Sequence, residues 1–415
     1  MRENNKIWDV IIIGGGASGM MAGAVASSRG KSVLIIDKNR DLGEKLKITG
    51  GGRCNITNNE PDIHKFLEIY GEGAPFLYSP FSIFGVADTF KYFESRGLPL
   101  VVQARNRVFP ASEKAIDVYN VLRKELDNNN VQIKSNCTVK KINIKDSKIN
   151  NVETNSGIFY GKSFVLATGG MSHPETGSTG DGFKWLGDMG HTVKDSTPNI
   201  VPLAVSDVWV KSLAGASLSF MKITFYLEDK KQFSKLGKVL FTHFGLSGPL
   251  ILNCSRKVSD LLQAGRVTAY IDAYPDTNEG KLEEGIIKTF DANKNKIFRT
   301  VLKDIVPDGL TKAFEMIDTS IDFETKVHSI SKETRKKIVH LLKALPVNIT
   351  NLMGYDRSVV ADGGVSLKEL NMKTMSSLLY KNLFITGDLL NINRNSGGYS
   401  LQICWTTGYI AGMSI

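Results

Sequence analysis

Residues 8–38 read WDVIIIGGGASGMMAGAVASSRGKSVLIIDK, and this stretch decides the fold. Asp9 to Ile13 is a short run rich in isoleucine, followed by Gly14, Gly16 and Gly19 in G-x-G-x-x-G spacing, with Gly23 one helical turn further on. Met20 to Ser28 are small and helix-compatible, and Ser32 to Ile36 form a second strand-like run ending at Asp37. Gly14 permits a tight strand-to-helix turn, Gly16 lets backbone approach a pyrophosphate, and Gly19 lets the helix pack closely on the sheet. Ala17 and Ser18 would open that helix with unpaired N–H groups beside the phosphates. Asp37 is placed to accept hydrogen bonds from adenosine ribose hydroxyls, with Lys38 beside it. The pattern predicts an α/β fold with a Rossmann-like dinucleotide site, and by itself it suits NAD and FAD equally.

Two later segments repeat the strand-then-glycine logic. Phe164 to Ala167 is a buried-strand run ending in Thr168, Gly169 and Gly170; Leu383 to Thr386 is another, ending in Gly387 and Asp388. Ligands of open α/β sheets gather outside the carboxyl ends of strands, so these turns are expected to share one site with the first. Asp388 would present a carboxylate to a polyol or phosphate, or serve as a plain N-cap. Gly397 and Gly398 then precede a helix of small residues, whose N-terminus would stabilise a developing anion. The segment EKLKITGGGRCNITNN, residues 44–59, places three glycines in a row, Gly50, Gly51 and Gly52. A triplet costs backbone entropy and implies a close approach that side chains would block.

The bulk composition narrows the class. The 415 residues suggest two domains or one with an insertion. Between about 192 and 345 the glycine fingerprints stop: SFMKITFYLED and RVTAYIDAYPD read as short strands, and the later part is charged and helical. The expected organisation is a nucleotide-binding domain at 1–191 and 346–415, split by an inserted mixed β/α domain at 192–345. Cys54, Cys137, Cys254 and Cys404 form no C-x-x-C pair, which argues against zinc and against a disulfide framework. No apolar run reaches a membrane-spanning length, and MRENNKIWDVIIIGGG leads straight into glycines, so a cytoplasmic protein without a membrane partner is expected. The formal charge of +10 favours acidic partners, RNA among them, or else is spread over solvated faces.

Seven segments together carry a resemblance: DVIIIGGGASGMMAG, GEKLKITGGGRCNITN, RVFPASEKAIDV, ATGGMSHPETGSTGDGF, LFTHFGLSGP, ADGGVSLKELNMKTMSS and GDLLNINRNSGGYSLQ. Their order, from about Trp8 to Gly412, resembles the bacterial FAD-dependent oxidoreductases of the BaiN-like and aminoacetone-oxidase-like family. The resemblance implies FAD, bound by a glutathione-reductase-type domain interrupted by an insert. It also implies that Gly50 to Gly52 and Lys45, Arg53, Cys54 and Asn55 lie against the cofactor. The chain departs from the family near its C-terminus, where acids are common before the glycine pair and Asn391 and Asn393 stand here.

A flavin carries hydride chemistry, so the protein's task is position and electrostatics. No second complete fingerprint is present, and NADH or NADPH would visit the flavin transiently as donor. His243, Tyr399 and Arg53 are the expected catalytic residues; Cys54 without a partner reads as a small buried side chain, and Arg105 and Arg107 as either anion-steering or plain surface residues. The expected function is reduction of an activated C=C bond in a small molecule. The alternatives are reduction of uridine to dihydrouridine in rRNA and a flavin-bound sensor or scaffold without turnover. Oligomeric state is not legible.

Overall fold

The computed structural model describes residues 6–415; Met1–Asn5 of the leading segment lie outside the described residues. The chain divides into two compact units, one formed by 1–198 with 359–415 and the other by 199–358.

The first unit is built on a parallel sheet whose strand order is Leu383–Ile385, Gly157–Leu166, Ile7–Ile13, Val33–Ile36, Gln132–Lys134. Its central strands are continuous apolar runs because both faces are covered. Register matters more than order here. Ile13 pairs with Ile36 on one side and Leu166 on the other, and Leu166 pairs with Ile385. Four strands therefore end in one row, and the turns after them open on one edge. The first helix, Ala17–Ser28, is buried along most of its length. The C-terminal helix, Tyr399–Ser414, packs on it with no room for side chains at two points: a Cβ on Gly408 would lie 2.4 Å from the Ser18 carbonyl oxygen, and one on Gly412 2.7 Å from that of Ala22. A three-stranded antiparallel sheet of Thr57–Asn58, Arg107–Pro110 and Leu100–Gln103 flanks this core.

The second unit is a closed six-stranded barrel of Leu203–Val205, Gly245–Ser247, Lys230–Thr242, Ser217–Leu227, Val267–Asp272 and Leu345–Leu352. The segments read as strands at SFMKITFYLED and RVTAYIDAYPD are two of its staves. Helices Pro249–Ala264, Glu279–Ala292 and Lys332–Lys343 accompany it. Ser331 caps the last of these, accepting from the Thr334 N–H at 3.1 Å.

The division falls later than 191/192 and 345/346. Val193–Asn199 pairs with Val360–Val365, which draws the first crossing into the Rossmann unit. Leu345–Leu352 closes the barrel and keeps the second crossing in the insert. Pairing with a distant partner decides both, and local composition does not register it.

Candidate cofactor site

The row of strand ends is laced by backbone bonds. Gly14 N–H donates to Ile36 O at 2.9 Å, Ala167 N–H to Ile13 O at 2.9 Å, and Thr386 N–H to Leu166 O at 3.1 Å. Gly14 has φ +101°, and a Cβ there would sit 2.5 Å from the Ala167 carbonyl oxygen. A Cβ on Gly19 would sit 2.0 Å from the Gly14 carbonyl oxygen. These two glycines are consumed by the fold itself. Gly16 differs: a Cβ there would meet nothing within 4 Å. It is the N-cap of the first helix and has no side-chain cap, so the helix presents bare N–H groups to an open space.

That space is a cleft of roughly 1220 Å³, counting its mouth open to solvent. Gly14, Gly16, Ala17, Ser18, Asp37, Lys38, Lys45, Ala167, Thr168, Gly169 and Asp388, all singled out in the sequence, line it. Asp37 is buried, and each carboxylate oxygen accepts a backbone N–H: Gly15 at 2.7 Å and Asn39 at 2.8 Å. Burial raises its pKa, and those two N–H groups oppose the rise. Asp37 thus staples the end of the second strand to the glycine turn while remaining part of the cleft wall. Lys38 Nζ is 2.8 Å from Asp181. Lys45 donates to Ser172 and lies 3.6 Å from Asp388. Gly387 is held by its N–H to Thr407 Oγ1 at 3.0 Å, and a Cβ on it would strike Ser18 Oγ at 2.7 Å.

Other expected residues lie outside this lining. Gly50, Gly51 and Gly52 adopt φ of +60°, +67° and +82° in succession, a left-handed run that favours glycine, and Gly51 and Gly52 have free space where a Cβ would be. Thr49, just before them, reaches the cleft. Arg53 is engaged elsewhere, donating to Glu113 at 2.5 and 3.1 Å and to Gln103 at 2.8 Å, with its guanidinium 4.4 Å from the Phe109 ring. Cys54 is fully buried, and burial pushes its thiol far above the ordinary range. Gly397 and Gly398 pack on the Thr57–Asn58 strand: Asn58 Nδ2 donates to Gly397 O at 3.2 Å, and a Cβ on Gly398 would lie 2.3 Å from Thr57 O. Tyr399 is half-buried, its carbonyl accepting from Tyr70 Oη at 3.0 Å, whereas its neighbours Ser400 and Leu401 line the cleft. His243 is an exposed turn residue of the barrel unit, stacked edge-on with Phe244.

The structure also brings in residues that sequence reasoning passed over. Asn39, Thr138, Trp185 and the run Ser178, Thr179 and Asp181 line the cleft. The last three stand in the SHPETGSTGDGF segment, whose glycines were the available signal. Arg394 stands in the GDLLNINRNSGGYSLQ segment, but nothing local marked it as a site residue. It is 3 % exposed and forms an ion pair with Asp388. Its Nη1 donates to Ile392 O at 2.6 Å and its Nε to Ser400 Oγ at 3.0 Å. Burial would raise the pKa of Asp388, but the charges of Arg394 and Lys45 hold it below the ordinary carboxylate value.

The chain matches the family model described as HI0933-like protein Rossmann domain over residues 8–414. It belongs to that family. Among its relatives is the 3-dehydro-bile acid delta(4,6)-reductase of Clostridium scindens, 28% identical over 406 residues that make up 97% of each chain. The ribosomal RNA dihydrouridine synthase of Haemophilus influenzae is 28% identical over 410 residues, 98% of each. The fold is shared with a 3-ketosteroid-delta4-(5alpha)-dehydrogenase from Rhodococcus jostii, at TM-score 0.55 and 12% identity over 100% of this chain and 98% of that one. It is also shared with a flavocytochrome c3 fumarate reductase, at TM-score 0.55 and 16% identity over 98% of this chain and 78% of that one. The protein is an FAD-dependent oxidoreductase of the HI0933-like family. Among the described residues, no helix is long and apolar enough to cross a membrane.

The residues present fit FAD. The uncapped helix start at Gly16 suits a pyrophosphate. Among the described residues, Thr168 Oγ1 in the cleft wall is buried without a hydrogen-bond partner, as is Asn55 Oδ1 outside the lining. Such atoms are costly unless a ligand or water satisfies them.

Proposed function

We propose that this HI0933-like protein reduces a C=C bond conjugated to a carbonyl, taking electrons from NADH or NADPH. FAD, when bound, supplies hydride transfer at its N5 atom. The observation that carries the proposal is the near-full-length relative named a 3-dehydro-bile acid delta(4,6)-reductase, beside a second named a ribosomal RNA dihydrouridine synthase. The chain's own residues supply position and charge. The backbone from Gly14 to Ser18 cradles the pyrophosphate, Asp37 fixes that turn and faces the ribose, and Lys38 and Lys45 add positive charge. Asp388 and Thr168 supply polar contacts from the neighbouring strand ends. Tyr399 is the proposed proton donor, because it opens the C-terminal helix next to Ser400 and Leu401, which line the cleft. Arg53, paired with Glu113 and Gln103, is proposed to orient substrate rather than move a proton. His243, exposed on a turn of the barrel unit, is the alternative proton donor.

A second reading is favoured by the +10 charge together with the dihydrouridine synthase names: the conjugated bond is that of uridine in rRNA. One experiment tests both. The holoenzyme is reduced anaerobically with NADH or NADPH and offered a conjugated steroid enone or rRNA transcripts, with products read by mass spectrometry. A saturated enone supports the first reading, dihydrouridine the second. Reduction by nicotinamide with neither product formed overturns alkene reduction.

A further inference from the structure

We propose that Arg394 is a positioning residue for the cofactor: by clamping the 388–400 loop it keeps the Asp388 carboxylate fixed at the cleft wall, and FAD binding depends on it. Three donors of one guanidinium reach three points of the same loop. Nη2 holds Asp388 at its start, Nη1 the Ile392 carbonyl in its middle, and Nε the Ser400 hydroxyl where the C-terminal helix begins. Asp388 and Ser400 both line the cleft, whereas Arg394 stands behind them with its side chain 1% exposed. A planar fork can fix geometry in a way a lysine cannot.

The charges make the role testable apart from packing. Arg394 and Lys45 face Asp388 from two elements, leaving one net positive charge at this end of the cleft. Of the other titratable groups coupled to this cluster, Cys404 on the C-terminal helix has its thiol pushed up to about 12, and the buried Tyr70 is raised well above its ordinary value. Both stay neutral at physiological pH. Breaking a buried pair by removing one partner leaves the other charge uncompensated. Without Arg394, burial would push Asp388 toward its protonated form, with Lys45 its only remaining cation among the described residues.

FAD dissociation constants are measured for the holoenzyme and its variants from pH 5.5 to 8.5, with thermal unfolding as a control on folding. The wild type should be flat over that range. Arg394→Met should bind FAD roughly tenfold more weakly or worse, and the deficit should grow as pH falls. Asp388→Asn/Arg394→Met should lose the slope. Arg394→Lys, which keeps the charge and loses the Ile392 and Ser400 anchors, should be weaker than wild type but flat. A deficit in Arg394→Met equal at every pH would reduce Arg394 to a packing role and overturn the proposal. Should that variant not fold, wild-type affinity in Arg394→Lys would overturn the clamp.

Discussion

Two substitutions of glycine by alanine, three residues apart, should part company. At Gly16 the backbone φ is −77° and a Cβ meets nothing within 4 Å, so alanine fits the FAD-free protein. The cost is that of a poorer N-cap, about 1 kcal/mol or less. The methyl would project into the space beside the uncapped helix start, where a pyrophosphate has to approach the backbone. Standing a phosphate off by a methyl radius should weaken FAD binding by about 10- to 100-fold. At Gly19 the position is helical, and alanine alone would gain about 1 kcal/mol of propensity. Its Cβ, however, would lie 2.0 Å from the Gly14 carbonyl oxygen, and reaching a tolerable separation moves helix against strand by about 1 Å. Overpacking of backbone on backbone should cost about 3 kcal/mol or more, outweighing the gain. The assay is thermal unfolding of FAD-free protein beside a flavin-fluorescence titration. Gly16→Ala should melt within a few degrees of wild type and bind FAD poorly; Gly19→Ala should melt at least about 4 °C lower. Wild-type FAD affinity in Gly16→Ala would refute the assignment of this open space to the cofactor.

Other outcomes follow from the same geometry. The pKa of Asp37 is raised on folding, so its contribution to the stability of the FAD-free protein is greatest below the unfolded carboxylate value and is lost as pH rises through the folded one. Asp388 is lowered, so its contribution is present above the unfolded value and lost as pH falls through the folded one. Urea unfolding against pH should show the first dependence removed in Asp37→Asn and the second in Asp388→Asn. All four cysteines are buried and free, and burial raises Cys54, Cys254 and Cys404, the last two to about 11 and about 12. A thiol reagent should therefore label none of the four within minutes at pH 8 in the native protein and all four in denaturant. His191 is buried between Glu369 at 2.9 Å and the Ser377 hydroxyl at 3.0 Å, so His191→Leu should cost about 1–3 kcal/mol by removing both hydrogen bonds, read as a lowered melting temperature. Glu369 keeps the Thr192 N–H, and Ser377 those of Leu379 and Tyr380.

The N-terminal fingerprint was legible because each glycine answers a local demand. Gly14, Gly19 and Asp37 stand within one strand–helix–strand unit, and the contacts that require them reach strand ends that carry their own glycine signals. The charged helices of the insert were legible by their period. Its closure into a six-stranded barrel was not, because antiparallel pairing of Leu203–Val205 with Leu345–Leu352 spans well over a hundred residues and leaves no local mark. The site was legible in part for the same reason. Residues on the strand-end turns lie in the cleft lining, whereas Arg53 is drawn to Glu113, a partner sixty positions away that sequence gives no means to select.

The sequence by itself determined that a helix N-terminus would stand bare over a cleft and that the three strand-end turns would share one edge. Glycine spacing and β-branched runs encode those features within a few residues. The tertiary structure alone decided which charges meet there. Asp388 is held between Lys45, more than three hundred residues away, and Arg394, six residues away but turned inward by the Ile392 carbonyl and the Ser400 hydroxyl. A buried ion pair exists only once packing excludes water, and no stretch of sequence states where water will be excluded.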